Sequence, residues 1–172
     1  MRGNKNLSLI YLICLAVGIL LIICGFLFFD GRKTSVFFYP DMEYSALTPE
    51  RRKLAFNPKK HFYEVLLVKE YLLGPLEYHL RLNISPELIA HNIWVVEDPE
   101  GKGNKTVIID FNEEFDRELK YNNDGLEWMI KGLKQTLKEN TGVRRLFLLE
   151  NGKRKKAELG KWQIYHPLTF TD

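Results

Sequence analysis

The sequence predicts an α+β chain: one N-terminal transmembrane helix, then a small domain whose mixed or antiparallel sheet carries two helices, in the order β-α-β-β-α-β. Three observations predict it. Residues 7–29 (LSLIYLICLAVGILLIICGFLFF) form a 23-residue run without a charge. Beyond it, short β-branched and aromatic runs alternate with segments of helical periodicity. Gly, Pro and Asn-Gly signals separate them.

The apolar run comes first. As a helix it extends roughly 34 Å, enough for a bilayer core of about 30 Å. A cleaved signal peptide is the competing reading, but its apolar region is shorter and ends in small residues. Here the exit stays bulky through Phe28-Phe29. A lipidated cysteine is disfavoured because Ile13 and Ile23 precede Cys14 and Cys24. The expectation is an uncleaved anchor bounded by Leu7 and Phe29, contacting the lipid bilayer. Residues 1–6 carry Arg2 and Lys5 and no acid, which places this tail in the cytoplasm. The expected location is the inner (cytoplasmic) membrane, single-pass, with the C-terminal domain outside the cytoplasm.

Residues 30–35 read as a linker and Val36–Tyr39 as a buried strand stopped by Pro40-Asp41. Leu47 to Glu50 reads as a turn, followed by weak alternation. A helix is expected from about His61 to Leu73, with Phe62, Val65, Leu66, Leu72 and Leu73 inward. Gly74-Pro75 stops it. Ile93–Glu97 and Thr106–Asp110 read as a hairpin around a polar loop. Asp124 and Glu127 have capping-box spacing, and Leu126, Met129, Ile130, Leu133 and Leu137 form one apolar stripe. Val143–Leu149 is a strand, Asn151-Gly152 turns it back, and Trp162, Ile164 and Tyr165 outline an edge strand in a tail from 161 to 172. The domain proper runs over 36–160.

Composition excludes several classes. Residues 30–172 hold 23 Lys and Arg against 22 Asp and Glu, a net charge of +1. No polyelectrolyte field exists, so no nucleic-acid partner is expected. The basic cluster Lys153–Lys156 reads as a solvated arm beside a turn. Both cysteines lie in the apolar run, so the domain has no disulfide framework and no thiolate nucleophile.

The four histidines show no i, i+4 pair and no HExxH, and no metal site is expected. Asp110-x-Asn112-x-Glu114 imitates a calcium loop, but Phe115 stands where Gly is needed and Tyr121 where a bidentate Glu is needed. It reads instead as a strand end followed by a turn, with Phe111 and Phe115 plugging the core. Gly101 and Gly103 precede no helix, so no phosphate loop and no cofactor is expected. No catalytic residue is assigned.

The chain resembles the GerMN domain of bacterial sporulation and spore-germination proteins of the GerM type. The resemblance rests on Val36-Phe37-Phe38-Tyr39, Leu72-Leu73-Gly74-Pro75, Val107–Phe111 with Phe115, Gln135-Thr136-Leu137, Val143, Arg145–Leu148 and Asn151-Gly152, in order over about 34–156. It implies an extracytoplasmic, non-catalytic domain acting in envelope assembly by protein–protein contact, with an envelope protein or a second copy as partner. The alternative is an extracytoplasmic binding module for cell-wall material or a small molecule. Tyr78, Tyr121, Trp162 and Tyr165 fall outside the core stripes and are the candidate interaction surface; lining one groove, they would favour the second reading.

Overall fold

The computed structural model describes residues 14–21, 32–56, 62–97, 105–160 and 162–169. The chain divides into two compact units, Met1–Arg32 and Lys33–Asp172.

In the first unit the described residues form a helix, α1, over 14–21, with Leu15, Val17, Ile19, Leu20 and Leu21 exposed. Leu7, Phe29 and the rest of the expected anchor lie outside the described residues. The transmembrane expectation is corrected here. Among the described residues no helix is long and apolar enough to cross a membrane.

The second unit is α+β, but it has more elements than β-α-β-β-α-β. Strands β1 (Arg32–Pro40) and β2 (Leu47–Ala55) pair as a two-stranded sheet, and α2 (Tyr63–Leu72) follows. Next come β3 (Ala90–Glu97), β4 (Lys105–Phe111), α3 (Glu114–Tyr121), α4 (Asn123–Asn140) and β5 (Val143–Glu150). Among the described residues three two-residue strands follow: β6 (Glu158–Leu159), β7 (Trp162–Gln163) and β8 (Leu168–Thr169). The main sheet runs β3-β4-β5-β8. Its β4–β5 pair is parallel, flanked by antiparallel pairs. A parallel neighbour needs a long crossover, and α3 and α4 provide it.

Two elements were hidden from periodicity. The expected turn at Leu47–Glu50 is the start of β2, whose inward positions are Glu50, Arg52 and Leu54. Two of those three are charged, so the apolar alternation of a strand is missing. The expected turn after Asp110 leads into α3, which buries Glu114 and Glu118 beside Phe115 and Leu119. With α3 the described residues of the domain form three helices rather than two.

The inward face of α2 is also corrected. Its buried residues are Tyr63, Glu64, Leu67, Val68 and Tyr71, while Phe62 and Leu73 are 59% and 78% exposed. The segment is apolar nearly all round, so spacing alone does not choose a side. Helix α4 follows expectation in its stripe: Leu126, Met129, Ile130, Leu133 and Leu137 are fully buried. Its start differs, because Asn122 is the N-cap, Asp124 lies inside the first turn and no side-chain capping bond forms. The capping box is replaced by an ion pair from Glu127 to Lys131 at 2.8 Å.

The core lies between the main sheet and the helices. Val107, Ile109, Phe111, Leu146 and Leu148 face inward, and Phe111 stacks on Phe115 at 5.1 Å. The edge of β1 is met by side chains of α4 rather than by a strand. Thr136 Oγ1 accepts from the Phe38 amide at 3.0 Å. Asn140 accepts from the Val36 amide and donates to the Val36 carbonyl. Gly132, one turn before Thr136, lets the backbones meet: a Cβ there would lie 2.3 Å from the Phe38 carbonyl oxygen.

Candidate functional site

The sheet has a second face. Register places Trp94, Ile108 and Phe147 in one row across β3, β4 and β5, with Val96 and Thr106 beside it. Side chains alternate along a strand, so this row points away from the helices. Its two ends differ. At the β5 end the basic segment folds back over it, and the Arg154 guanidinium lies 4.7 Å from the Phe147 ring centre. Phe147 is buried. At the β3 end Trp94 and Val96 are 44% and 48% exposed. β3 is the terminal strand of its sheet, with β4 on one side and no strand partner on the other among the described residues. A bare edge of this kind, with no Lys and no Pro along it, is a template for another strand. At the opposite edge β8 pairs with Arg145 and Leu146. The 162–165 segment expected at a sheet edge instead contributes β7, paired with β6.

The Lys153–Lys156 cluster is not a free arm. Lys155 bridges Asp116 and Glu150, both at 2.6 Å, and Arg154 and Lys156 lie over the Tyr165 ring. The carboxylate-rich segment is likewise spent on structure. Asp110 accepts from the Gly152 amide at 2.7 Å, fixing the Asn151-Gly152 turn. Asn112 holds the 87–89 backbone from both ends of its amide. Glu114 pairs with Arg117, and Asp116 pairs with Lys120. Hydrogen bonds from Lys120 and then Lys155 hold the Asp116 carboxyl below its ordinary value. Among the described residues no group of three or more His, Cys, Asp or Glu could hold a metal ion.

The four aromatic candidates do not form one groove. Tyr78 and Tyr121 are 94% and 83% exposed. Trp162 lies under the Lys134 ammonium at 4.6 Å. Tyr165 lines a cavity of about 360 Å³ with Lys156, Ala157, Glu158, Gln163 and His166, and the other three aromatics take no part in it.

Sequence reading also missed an aromatic pair that shares a cavity. Tyr44 and Trp128 meet at 6.0 Å between ring centres, with ring planes at 55°. They line a cavity of about 390 Å³ with Asn83, Asn122, Asp124, Gly125 and Glu127. Trp128 lies off the apolar stripe of α4, which was the available signal. Tyr44 lay in a segment with no periodicity. Its φ is +54°, a conformation costly for an aromatic residue. Asp41 holds that turn: its carboxylate accepts from the Ser45 amide and hydroxyl, and its carbonyl accepts from the Tyr44 amide.

The fold is a small α+β domain with a mixed sheet, helices on one face and an open strand edge. That fold is GerMN-like. The structure is similar to the tandem GerMN domains of the sporulation protein GerM from Bacillus subtilis, with TM-score 0.56 and 14% identity. That match covers 82% of this chain and 46% of that chain, so the chain spans less than half of the tandem structure. It is also similar to the first GerMN domain of the same protein, with TM-score 0.52 and 18% identity, covering 80% of this chain and 94% of that one. At these identities the likeness establishes the fold. No family model matches the sequence, and no curated protein matches it.

Proposed function

We propose that this chain is a non-catalytic, extracytoplasmic GerMN-like module that acts in cell-envelope assembly of the sporulation type by adding a strand of a protein partner to β3. The carrying observation is that β3 has no strand partner on its outer side among the described residues and is bordered by exposed Trp94 and Val96. An unpaired edge selects its occupant chemically. Its N–H and C=O groups are satisfied together by another extended backbone, and side-chain pockets then supply specificity. The apolar row gives the incoming strand a surface on one face. The fold shared with domains of a sporulation protein supports the envelope setting.

The test is in-cell crosslinking of the full-length chain, followed by identification of the crosslinked peptides. The comparison is with Trp94→Lys and Val96→Lys, each placing a cation on the open face. The expected result is an envelope protein, or a second copy, joined to β3 through an extended segment. Both variants abolish that crosslink and leave the melting temperature in place, since exposed substitutions stay within about 0.5 kcal/mol. An unchanged crosslink in both variants overturns the reading.

A further inference from the structure

We propose that the cavity between the β1–β2 loop and the start of α4 is a binding site for a neutral, hydroxyl-rich ring, that is, a saccharide. The inference is independent of the β3 edge and uses none of its residues.

The wall chemistry narrows the ligand. Tyr44 and Trp128 give two inclined aromatic surfaces in contact with each other. The faces of such rings carry partial negative charge, which complements the C–H face of a pyranose. The same cavity is lined by residues that carry hydrogen-bonding groups of both kinds, Asn83, Asn122, Asp124 and Glu127. Two aromatic rings beside four polar residues, in a cleft of about 390 Å³, suit a ligand that is itself part C–H and part hydroxyl.

Charge argues against an ionic ligand. The Arg81 guanidinium lies 5.0 Å from the Tyr44 ring centre and the Lys131 ammonium 4.7 Å from that of Trp128. Lys131 also neutralises Glu127 at 2.8 Å. A cationic ligand meets rings that already carry cations. An anionic ligand meets the Asp124 carboxylate.

One further feature marks the site as built: the cavity floor is fixed by close packing. A Cβ on Gly125 would lie 2.4 Å from the Asn83 carbonyl oxygen, and the Asn122 amide donates to that same oxygen at 2.7 Å. The helix start is therefore held against residue 83, and the ring pair stands over a rigid base.

The experiment titrates the full-length chain with the trisaccharide of N-acetylglucosamine, read by NMR shifts and calorimetry. Glucosamine serves as the cationic probe and a linear polyol as the ring-free one. Expected is saturable binding with a Kd of about 1 mM or tighter, weakened at least about tenfold by Trp128→Ala. Asp124→Asn, at an exposed position, weakens it several-fold with the melting temperature unchanged, so a folding defect is not mistaken for a lost contact. Tyr165→Ala, in a different cavity, leaves binding intact. The proposal is overturned by absent binding, by binding that survives both cavity variants, or by preference for glucosamine or the polyol.

Discussion

Between the main sheet and α4 the interior is hydrocarbon: Val107, Ile109, Leu146 and Leu148, with Leu126, Met129, Ile130, Leu133 and Leu137 of α4 in the same core. Around the β1–β2 pair the same depth of burial holds Ser35, Glu50, Arg52 and Glu64 together with the rings of Tyr39, Tyr63 and Tyr71. Each of these polar groups has a partner. Arg52 bonds Glu50, Tyr39 and the carbonyls of Glu70 and Gly74. Glu50 accepts from the amides of Leu76 and Glu77 at 2.8 and 2.9 Å. Ser35 meets Tyr63 at 2.7 Å, and Lys105 meets Glu64 at 2.8 Å. Tyr39 stacks on Tyr71 at 4.7 Å, and burial pushes both phenols well above their ordinary range. The difference is in tolerance. Apolar burial is non-directional and degrades by degrees. A buried polar network is worth keeping only while every member is satisfied.

The sharpest way to break that contrast is Arg52→Met. It leaves a buried carboxylate without its cation and strips a donor from the carbonyls of Glu70 and Gly74. Removing one partner of a buried pair costs about 3–5 kcal/mol. Leu133→Ala in the hydrocarbon half costs about 2–5 kcal/mol and is partly relieved by collapse of the surroundings. Urea denaturation of both variants measures the two losses. The double variant Glu50→Met with Arg52→Met separates the mechanisms further. If the charge alone mattered, it would restore wild-type stability. Because the amides of Leu76 and Glu77 also depend on Glu50, the expected recovery is partial.

The same contrast decides what could be read in the sequence. The α4 stripe, the Phe111–Phe115 plug and the β3–β4 pairing are apolar patterns, and all were legible. So were the turns that require special backbone: Gly74, Asn151 and Gly152 have φ of +87°, +48° and +74°. β2 was not, because its inward positions are an ion pair whose value depends on a loop more than twenty residues away. α3 was not, because its buried glutamates serve distant backbone: Glu118 accepts from the Ser85 amide at 3.0 Å. Nor was the Tyr44–Trp128 cavity, which joins a turn to a helix across the fold. A pattern of period two or 3.6 reports burial of hydrocarbon, and carries no record of which polar groups will meet.

Gly132→Ala sharpens the comparison where the two halves touch. In a free helix this change is favourable by about 1 kcal/mol. Here the new methyl would lie 2.3 Å from both the Phe38 carbonyl oxygen and the Tyr71 hydroxyl. Tyr71 is fully buried and donates to the Met129 carbonyl at 3.0 Å, so it has no room to withdraw. Overpacking of about 1–3 kcal/mol outweighs the propensity gain, and the expected net sign is destabilising. A melting temperature at or above that of the unaltered chain would show that α4 and β1 slide past each other, and the stripe of residues 132, 136 and 140 would not be a fixed seam.

The smallest effect concerns Asp41, at the edge of the polar half. Hydrogen bonds from the Ser45 side chain and then the Ser45 amide hold its carboxyl below the ordinary 3.8. A carboxyl depressed in the folded state contributes stability that is complete above its unfolded value and lost as pH falls through its folded one. The group lies near the surface, so the stabilisation itself is slight and screened. Its consequence is local: Asp41 also anchors the turn that keeps Tyr44 at positive φ. Acid titration followed by NMR should show the Asp41 carboxyl, the Ser45 amide and the Tyr44 ring moving together below pH 3.8, while the α4 core signals stay still. Asp41→Asn should remove that shared titration. If the Tyr44 signals are indifferent to both, the positive-φ turn is held by packing against Trp128 instead, and the ring pair rather than the carboxylate is what positions the cavity wall.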